Sequence, residues 1–189
     1  MIKKVTVEFM FPRQRTLADM ARVVILWSAI ENAVNVGIAS ILDLPHYNYY
    51  LILNPIKSFD NRLTIYRNLV DYEFRRGEVK LKNISDLFKK INEHYDLRNL
   101  IAHCHWLTWH HDDPLIDAIL YSNVYALKYQ KEKKVMVPKR KELTPTKLQT
   151  AIDEFQKTQK EIEKLTHEFE SRILKRKIAL RDKPRKAKH

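Results

Sequence analysis

The chain has 189 residues, of which 44% are hydrophobic, and it contains only two glycines and one cysteine. This length allows one domain with a substantial core. The scarcity of glycine argues against an all-β fold with many tight turns, and a single cysteine excludes a disulfide framework or a thiolate zinc finger within one chain. Because no signal-peptide pattern is present, we expect a cytoplasmic protein that has no membrane partner.

The formal net charge of +12 is concentrated near the C-terminus. Nine Lys and Arg residues lie in the range 172–189 against one acidic residue, which leaves +4 for the remaining 171 residues. We therefore predict a folded domain over 1–171 and a basic, disordered tail over 172–189. Such a tail attracts polyanions in general, and Lys175, Arg176 and Lys177 are candidates for contact with RNA. A solvated terminus that only aids solubility explains the same charge.

Three amphipathic helices are predicted before residue 104. The first begins after Thr16, an N-cap residue, and carries apolar side chains at spacings of three and four. This stripe comprises Met20, Val23, Val24, Trp27, Ile30, Val34, Ile38 and Ile41. Four polar or charged residues interrupt the apolar stretch, which therefore predicts a core helix and not a membrane span. A loop over 43–58 follows, and then a second helix that ends near Gly77 and a third that begins near Ser85. The apolar stripe of the second helix comprises Phe59, Leu63, Tyr66, Val70 and Phe74.

Beyond Trp106 the sequence pattern changes from helical to extended. Residues 119–129 are rich in β-formers, and a polar turn separates them from 135–137. Thr144 and Pro145 then provide an N-cap and a first-turn proline for a last helix of about eight turns. The predicted fold class is mainly α: an up-and-down helical bundle with a small β-hairpin insertion before the last long helix.

Two charged residues fall on apolar helix faces. Glu31 lies within roughly 40° of the apolar stripe of the first helix, and Arg98 lies on the apolar face of the third. A buried carboxylate needs a cation or several hydrogen-bond donors. We therefore expect Glu31 to pair with Arg98, or with an imidazole such as His94 or His103. A buried ion pair that only fixes the helix register, without a role in function, would explain the same pattern.

The range 98–103, with the sequence Arg-Asn-Leu-Ile-Ala-His, places a cation, an amide and an imidazole within six residues. It resembles the Arg-x4-6-His signature of the HEPN superfamily, helical-bundle proteins that include many RNA-cleaving toxins and defence nucleases. The helix order, with the motif near the end of the third helix and a last helix after a β excursion, is also similar, and the resemblance covers residues 16–171 in outline. It implies a metal-independent endoribonuclease that serves as a toxin or an antiviral effector.

The resemblance implies a role for each residue of the motif. Arg98 would stabilise charge on the scissile phosphate, Asn99 would orient the phosphate or the motif backbone, and His103 would act as general base or acid. No metal or cofactor is needed, because the 2′-hydroxyl of the RNA is the nucleophile and a 2′,3′-cyclic phosphate is the product. The further candidates are Glu31, His94 and His105 as supporting residues and Trp106 and Trp109 as RNA contacts.

The spacing of the motif has a geometric consequence. Residues five apart on a straight helix point about 140° away from each other, so Arg98 and His103 of one chain do not converge unless the helix ends, bulges or kinks between them. Members of the family resolve this by dimerising, with two motifs facing each other across a twofold axis. The resemblance therefore implies a homodimer with a composite cleft that takes RNA, and an antitoxin or other partner protein is compatible with it.

Other functions remain open. A non-catalytic HEPN-like dimeric module would keep the fold and bind RNA, a nucleotide or a partner protein. An unrelated helical regulator or a metal-dependent enzyme is the next alternative, with a metal held by His103 and His105 or by His110 and Asp112. Cys104 as a nucleophile would need an electropositive, accessible position.

Overall fold

The computed structural model describes residues 14–45, 48–75, 84–103, 105–107, 118–121, 127–130, 135–138 and 140–181, with the backbone alone for 105–142 and 180–181. The protein is mainly helical, as predicted. The helices of the described ranges are α1 (Gln14–Ile41), α2 (Tyr49–Leu53), α3 (Phe59–Arg75), α4 (Ile84–His103) and α5 (Pro145–Arg181).

Short strands lie between α4 and α5. Their bounds are β1 (His105–Leu107), β2 (Ala118–Tyr121), β3 (Leu127–Gln130), β4 (Val135–Pro138) and β5 (Arg140–Leu143). The backbone of β2 is antiparallel to both β1 and β5, in the order β1-β2-β5. In the second pairing β3 runs antiparallel to β4, with Gln130 opposite Val135.

The chain divides into two compact units. Unit 1 comprises Met1–Trp27 and Ile91–Gln156, and unit 2 comprises Ser28–Lys90 and Lys157–His189. The motif range 98–103 belongs to unit 1.

Helix α1 buries the stripe that its sequence predicts. Its members are buried apart from Val24 and Ile41, which are half-buried. By length and composition alone α1 could also cross a membrane, and 44% of its most apolar stretch is buried within the protein. Thr16, the predicted N-cap, lies inside α1 and is buried. The helix ends in a Schellman motif, with Asp43 at a φ of 54° and the amide of Leu44 bonded to the carbonyl of Ala39 at 2.9 Å.

Helices α1 and α3 approach each other closely in unit 2. A Cβ added to Gly37 would lie 2.7 Å from the ring of Tyr66, which is fully buried. The Tyr66 ring in turn meets Phe88 of α4 edge to face, with 5.7 Å between the ring centroids. Gly37 is therefore the residue that lets the Tyr66 ring lie against α1.

Helix α5 continues beyond the boundary predicted at residue 171. Its apolar residues from Leu148 to Phe169 are buried, as the near-heptad pattern predicts, and the helix runs on to Arg181. Residues 172–181 are thus helical and not part of a disordered tail. Within this part of the helix, Arg176 and Lys177 form ion pairs with carboxylates of other elements of unit 2.

Candidate active site

The motif occupies the last two turns of α4, and His103 is the final residue of that helix. Leu97 and Ile101 are buried, at 8% and 1% exposure, and anchor these turns to the core. The helix contains no break between Arg98 and His103. The two side chains therefore leave a continuous helix at directions about 140° apart, as the sequence predicts.

Arg98 and Asn99 are in contact. Nη1 of Arg98 donates a hydrogen bond to Oδ1 of Asn99, with 2.9 Å between the atoms. Both residues are half-buried. The Nε atom of Arg98 is buried, and no described residue accepts a hydrogen bond from it. Of these donors, Nη1 is therefore used by Asn99 and Nε is enclosed within the protein.

His103 is exposed to solvent. It lies four residues after Asn99, and side chains with this spacing are neighbours on a helix surface, with Cβ atoms about 5–6 Å apart. Asn99 is therefore flanked by Arg98, which it contacts, and by His103, which lies one turn further along the helix.

The buried face of α4 includes His94 as well as apolar residues. His94 is buried at 8% exposure, and its ring lies 4.1 Å from the ring of Phe155. Ala102 is exposed, whereas Arg98 is half-buried. Arg98 lies within the buried arc of the helix, about 20° around the axis from Ile91 and about 40° from His94. His94 packs in the core of unit 1, where it supports α4 through its contact with α5.

Glu31 has a different partner from the one predicted. Its Oε1 lies 3.5 Å from Nη2 of Arg62 on α3, and its side chain is 30% exposed. The guanidinium of Arg62 also lies over the ring of Phe59, at 5.9 Å. Glu31 therefore needs fewer ion-pair or hydrogen-bond partners than a fully buried carboxylate. Its cationic partner, Arg62, lies within unit 2. Arg62 was not predicted as the partner, because apolar periodicity in α3 marks its buried face and carries no signal for an ion pair with another helix.

Two of the three cations predicted to contact RNA form ion pairs with the protein. Nη2 of Arg176 lies 2.7 Å from Oε2 of Glu73, and Nζ of Lys177 lies 2.7 Å from a carboxylate oxygen of Asp43. Lys175 is exposed. The carboxylate of Glu73 was not predicted, although its place three residues after Val70 and seven after Tyr66 puts it on the buried stripe of α3.

The remaining candidates lie in the segment between α4 and α5. His105 and Trp106 lie in β1, where the backbone is described, and Trp109 lies outside the described residues, as do Cys104, His110 and Asp112. Within the described ranges, no group of three His, Cys, Asp or Glu side chains could hold a metal ion.

Comparisons with known proteins found no family model, no curated protein and no solved structure that matches this chain. The likeness to HEPN proteins therefore depends on the motif range 98–103 and the order of the helices.

Proposed function

We propose that this chain is a metal-independent endoribonuclease of HEPN type. The observation that supports it best is the arrangement at the end of α4. Arg98 donates to Asn99 at 2.9 Å and has a buried Nε that no described residue uses, and an exposed imidazole follows at His103. The planar guanidinium of a half-buried arginine is suited to binding a phosphate.

In the proposed reaction the 2′-oxygen of a ribose attacks the adjacent phosphorus. The bond from the 2′-oxygen to phosphorus forms, the bond from phosphorus to the 5′-oxygen breaks, and a proton passes from the 2′-hydroxyl to the 5′-oxygen. Arg98 stabilises the negative charge that grows on the non-bridging oxygens. His103 accepts or donates the proton at one end of this transfer, since its exposed imidazole can do either. The products are a 2′,3′-cyclic phosphate and a 5′-hydroxyl.

The proposal includes the setting that the family resemblance implies. The β-strand backbone between α4 and α5 supports a β-hairpin insertion before the last helix. We propose a cytoplasmic homodimer in which two copies of the motif face one cleft, with RNA as the ligand and a toxin or antiviral role that an antitoxin or other partner protein controls.

The test is cleavage of end-labelled RNA by purified protein in the presence of EDTA. We expect the wild-type protein to produce cyclic-phosphate ends and Arg98→Ala and His103→Ala to lose at least about 100-fold in rate. Matched controls are Arg22→Ala and His167→Ala, which remove an exposed arginine from α1 and an exposed histidine from α5. Both controls should cleave at the wild-type rate.

Three results would contradict the proposal. Equal cleavage by wild type, Arg98→Ala and His103→Ala would show that a contaminant is responsible. Loss of cleavage in EDTA, with recovery on adding a divalent metal, would favour the metal-dependent alternative. Tight RNA or nucleotide binding without any cleavage would favour the non-catalytic HEPN-like module.

A further inference from the structure

Asn99 lies between the two chemical groups of the motif. Taking Arg98 as the reference direction around α4, Asn99 points about 100° away and His103 about 140° away. Only about 40° separates Asn99 from His103. The Arg98 side chain is directed toward that side of the helix, because its Nη1 is held 2.9 Å from Oδ1 of Asn99.

This hydrogen bond changes which groups can act together. The direction of the Cα–Cβ bonds predicts that Arg98 and His103 diverge, but an arginine side chain is long and its guanidinium lies far from its own Cβ. Since Asn99 and His103 are neighbours one turn apart, a guanidinium held at Asn99 is also near the His103 side of the helix. A phosphate bound to the guanidinium of Arg98 would then lie on the same side of α4 as the imidazole.

We propose that Asn99 is a positioning residue that holds the Arg98 guanidinium on the His103 side of α4, so that one chain supplies both the phosphate-binding and the proton-transferring group. The inference rests on the proposed ribonuclease function. It concerns which Arg98 works with which His103: within a homodimer, each Arg98 acts with the His103 of its own chain. The second copy then contributes to the cleft and does not complete the pair.

A complementation experiment tests this pairing. Differently tagged Arg98→Ala and His103→Ala chains are co-expressed, the protein carrying both tags is purified, and its RNA cleavage is measured beside each variant alone. If the pair lies within one chain, every motif in the mixed protein is defective and activity stays at the level of the variants. If Arg98 of one copy acts with His103 of the other, one of two sites is intact and activity rises to about half of the wild-type value, which would overturn the inference.

A second measurement tests Asn99 itself. Asn99→Ala removes the acceptor for Arg98, and we expect kcat to fall by about 10- to 100-fold while the melting temperature changes little, because misplacing a catalytic group by about 1 Å can cost that much. The matched control is Asn92→Ala, which removes an exposed asparagine from the same face of α4. It should leave kcat unchanged.

The outcomes for Asn99→Ala are decisive in both directions. Wild-type kcat, or a loss of activity that follows a loss of folded protein, would overturn the positioning role. Rescue of kcat by Asn99→Asp, which restores an acceptor for the guanidinium, would support it. An inactive wild-type protein would overturn the inference together with the proposed function, whereas an active wild type with a half-active mixed dimer would overturn the inference alone.

Discussion

The carboxylate of Glu73 accepts a hydrogen bond from Arg176, with 2.7 Å between Oε2 and Nη2, and Glu73 is buried at 8% exposure. The neighbouring residue of α5, Lys177, lies equally close to Asp43, but both of those side chains are half exposed, at 55% and 51%. Unit 2 thus holds α5 with two ion pairs of the same length and very different burial. Burial, and not distance, should decide how much each contributes to stability.

Removing Arg176 should destabilise the protein more than removing its partner. Arg176→Ala removes the cation that lies 2.7 Å from the buried Glu73 carboxylate, and we expect a loss of about 2–4 kcal/mol in the free energy of unfolding. Glu73→Ala leaves a guanidinium that is 36% exposed and can be hydrated, so its cost should be smaller. Lys177→Ala should cost about 0–1 kcal/mol. Urea unfolding measures all three, and an equal loss for Lys177→Ala and Arg176→Ala would contradict this order.

The ion pair of Glu31 should matter for stability and not for catalysis. A double-mutant cycle with Glu31→Ala and Arg62→Ala should give a coupling free energy of about 0.2–1 kcal/mol, because the contact is long, at 3.5 Å, and partly exposed. The rate of RNA cleavage by Glu31→Gln should equal that of the wild type. A large fall in kcat with unchanged stability would show instead that Glu31 acts on the motif.

Gly37→Ala should destabilise the protein although alanine favours a helix. The added Cβ would lie 2.7 Å from the Tyr66 ring, and overpacking costs about 1–3 kcal/mol against a gain of about 1 kcal/mol in helix propensity. We expect a lower melting temperature. Repeating the substitution in a Tyr66→Leu background provides the control, since the smaller side chain relieves the contact. An unchanged or raised melting temperature for Gly37→Ala alone would show that α1 and α3 are further apart.

The protein should lose stability in alkaline solution. Burial, with a smaller effect of the adjacent Tyr50, raises the pKa of Tyr49 to about 12, and burial also raises the pKa of Tyr66 above its ordinary value. Below about pH 10 both tyrosines are protonated in the folded and the unfolded chain. Above that pH the unfolded chain loses protons first, so the free energy of unfolding falls as the pH rises through about 10 to 12.

Urea unfolding at pH 8, 10 and 11 measures this loss. Tyr49→Phe removes one titrating group, so its stability should fall less between pH 10 and 11 than that of the wild type. Tyr72→Phe, a change at an exposed tyrosine of α3, is the control and should follow the wild type. A Tyr49→Phe curve parallel to the wild-type curve would contradict the raised pKa.

Apolar periodicity predicted the long helices well, because burial of one face determines where helices form. It failed where a polar residue takes a buried position. The predicted stripe of α3 ends at Phe74, yet Phe74 is 45% exposed and Glu73 occupies the buried position. His94 likewise occupies a buried position on α4, at 8% exposure. A sequence pattern treats polar residues as exposed, and only the partner from a distant helix reveals the exception.

The candidate site, too, was predicted only in part, because its side-chain contacts do not follow from the sequence pattern. The motif and its place at the end of a helix follow from local sequence, and so does the 140° divergence of Arg98 and His103. The hydrogen bond between Arg98 and Asn99 could not be derived, because adjacent residues on a helix point about 100° apart and only a particular arginine rotamer brings them together. The partner of Glu31 was missed because it lies on another helix, 31 residues away in sequence.

The ion pair of Arg176 also links the fold to any binding of polyanions at this end of α5. A phosphate that took the Nη2 donor of Arg176 would compete with Glu73 for it, so part of its binding free energy would be offset by the loss of this contact. By thermodynamic reciprocity, if loosening α5 strengthened the binding of a polyanion there, the bound polyanion would loosen α5 by the same factor. The last turns of α5 would therefore respond to polyanions, because the Glu73 carboxylate and the polyanion would compete for Arg176.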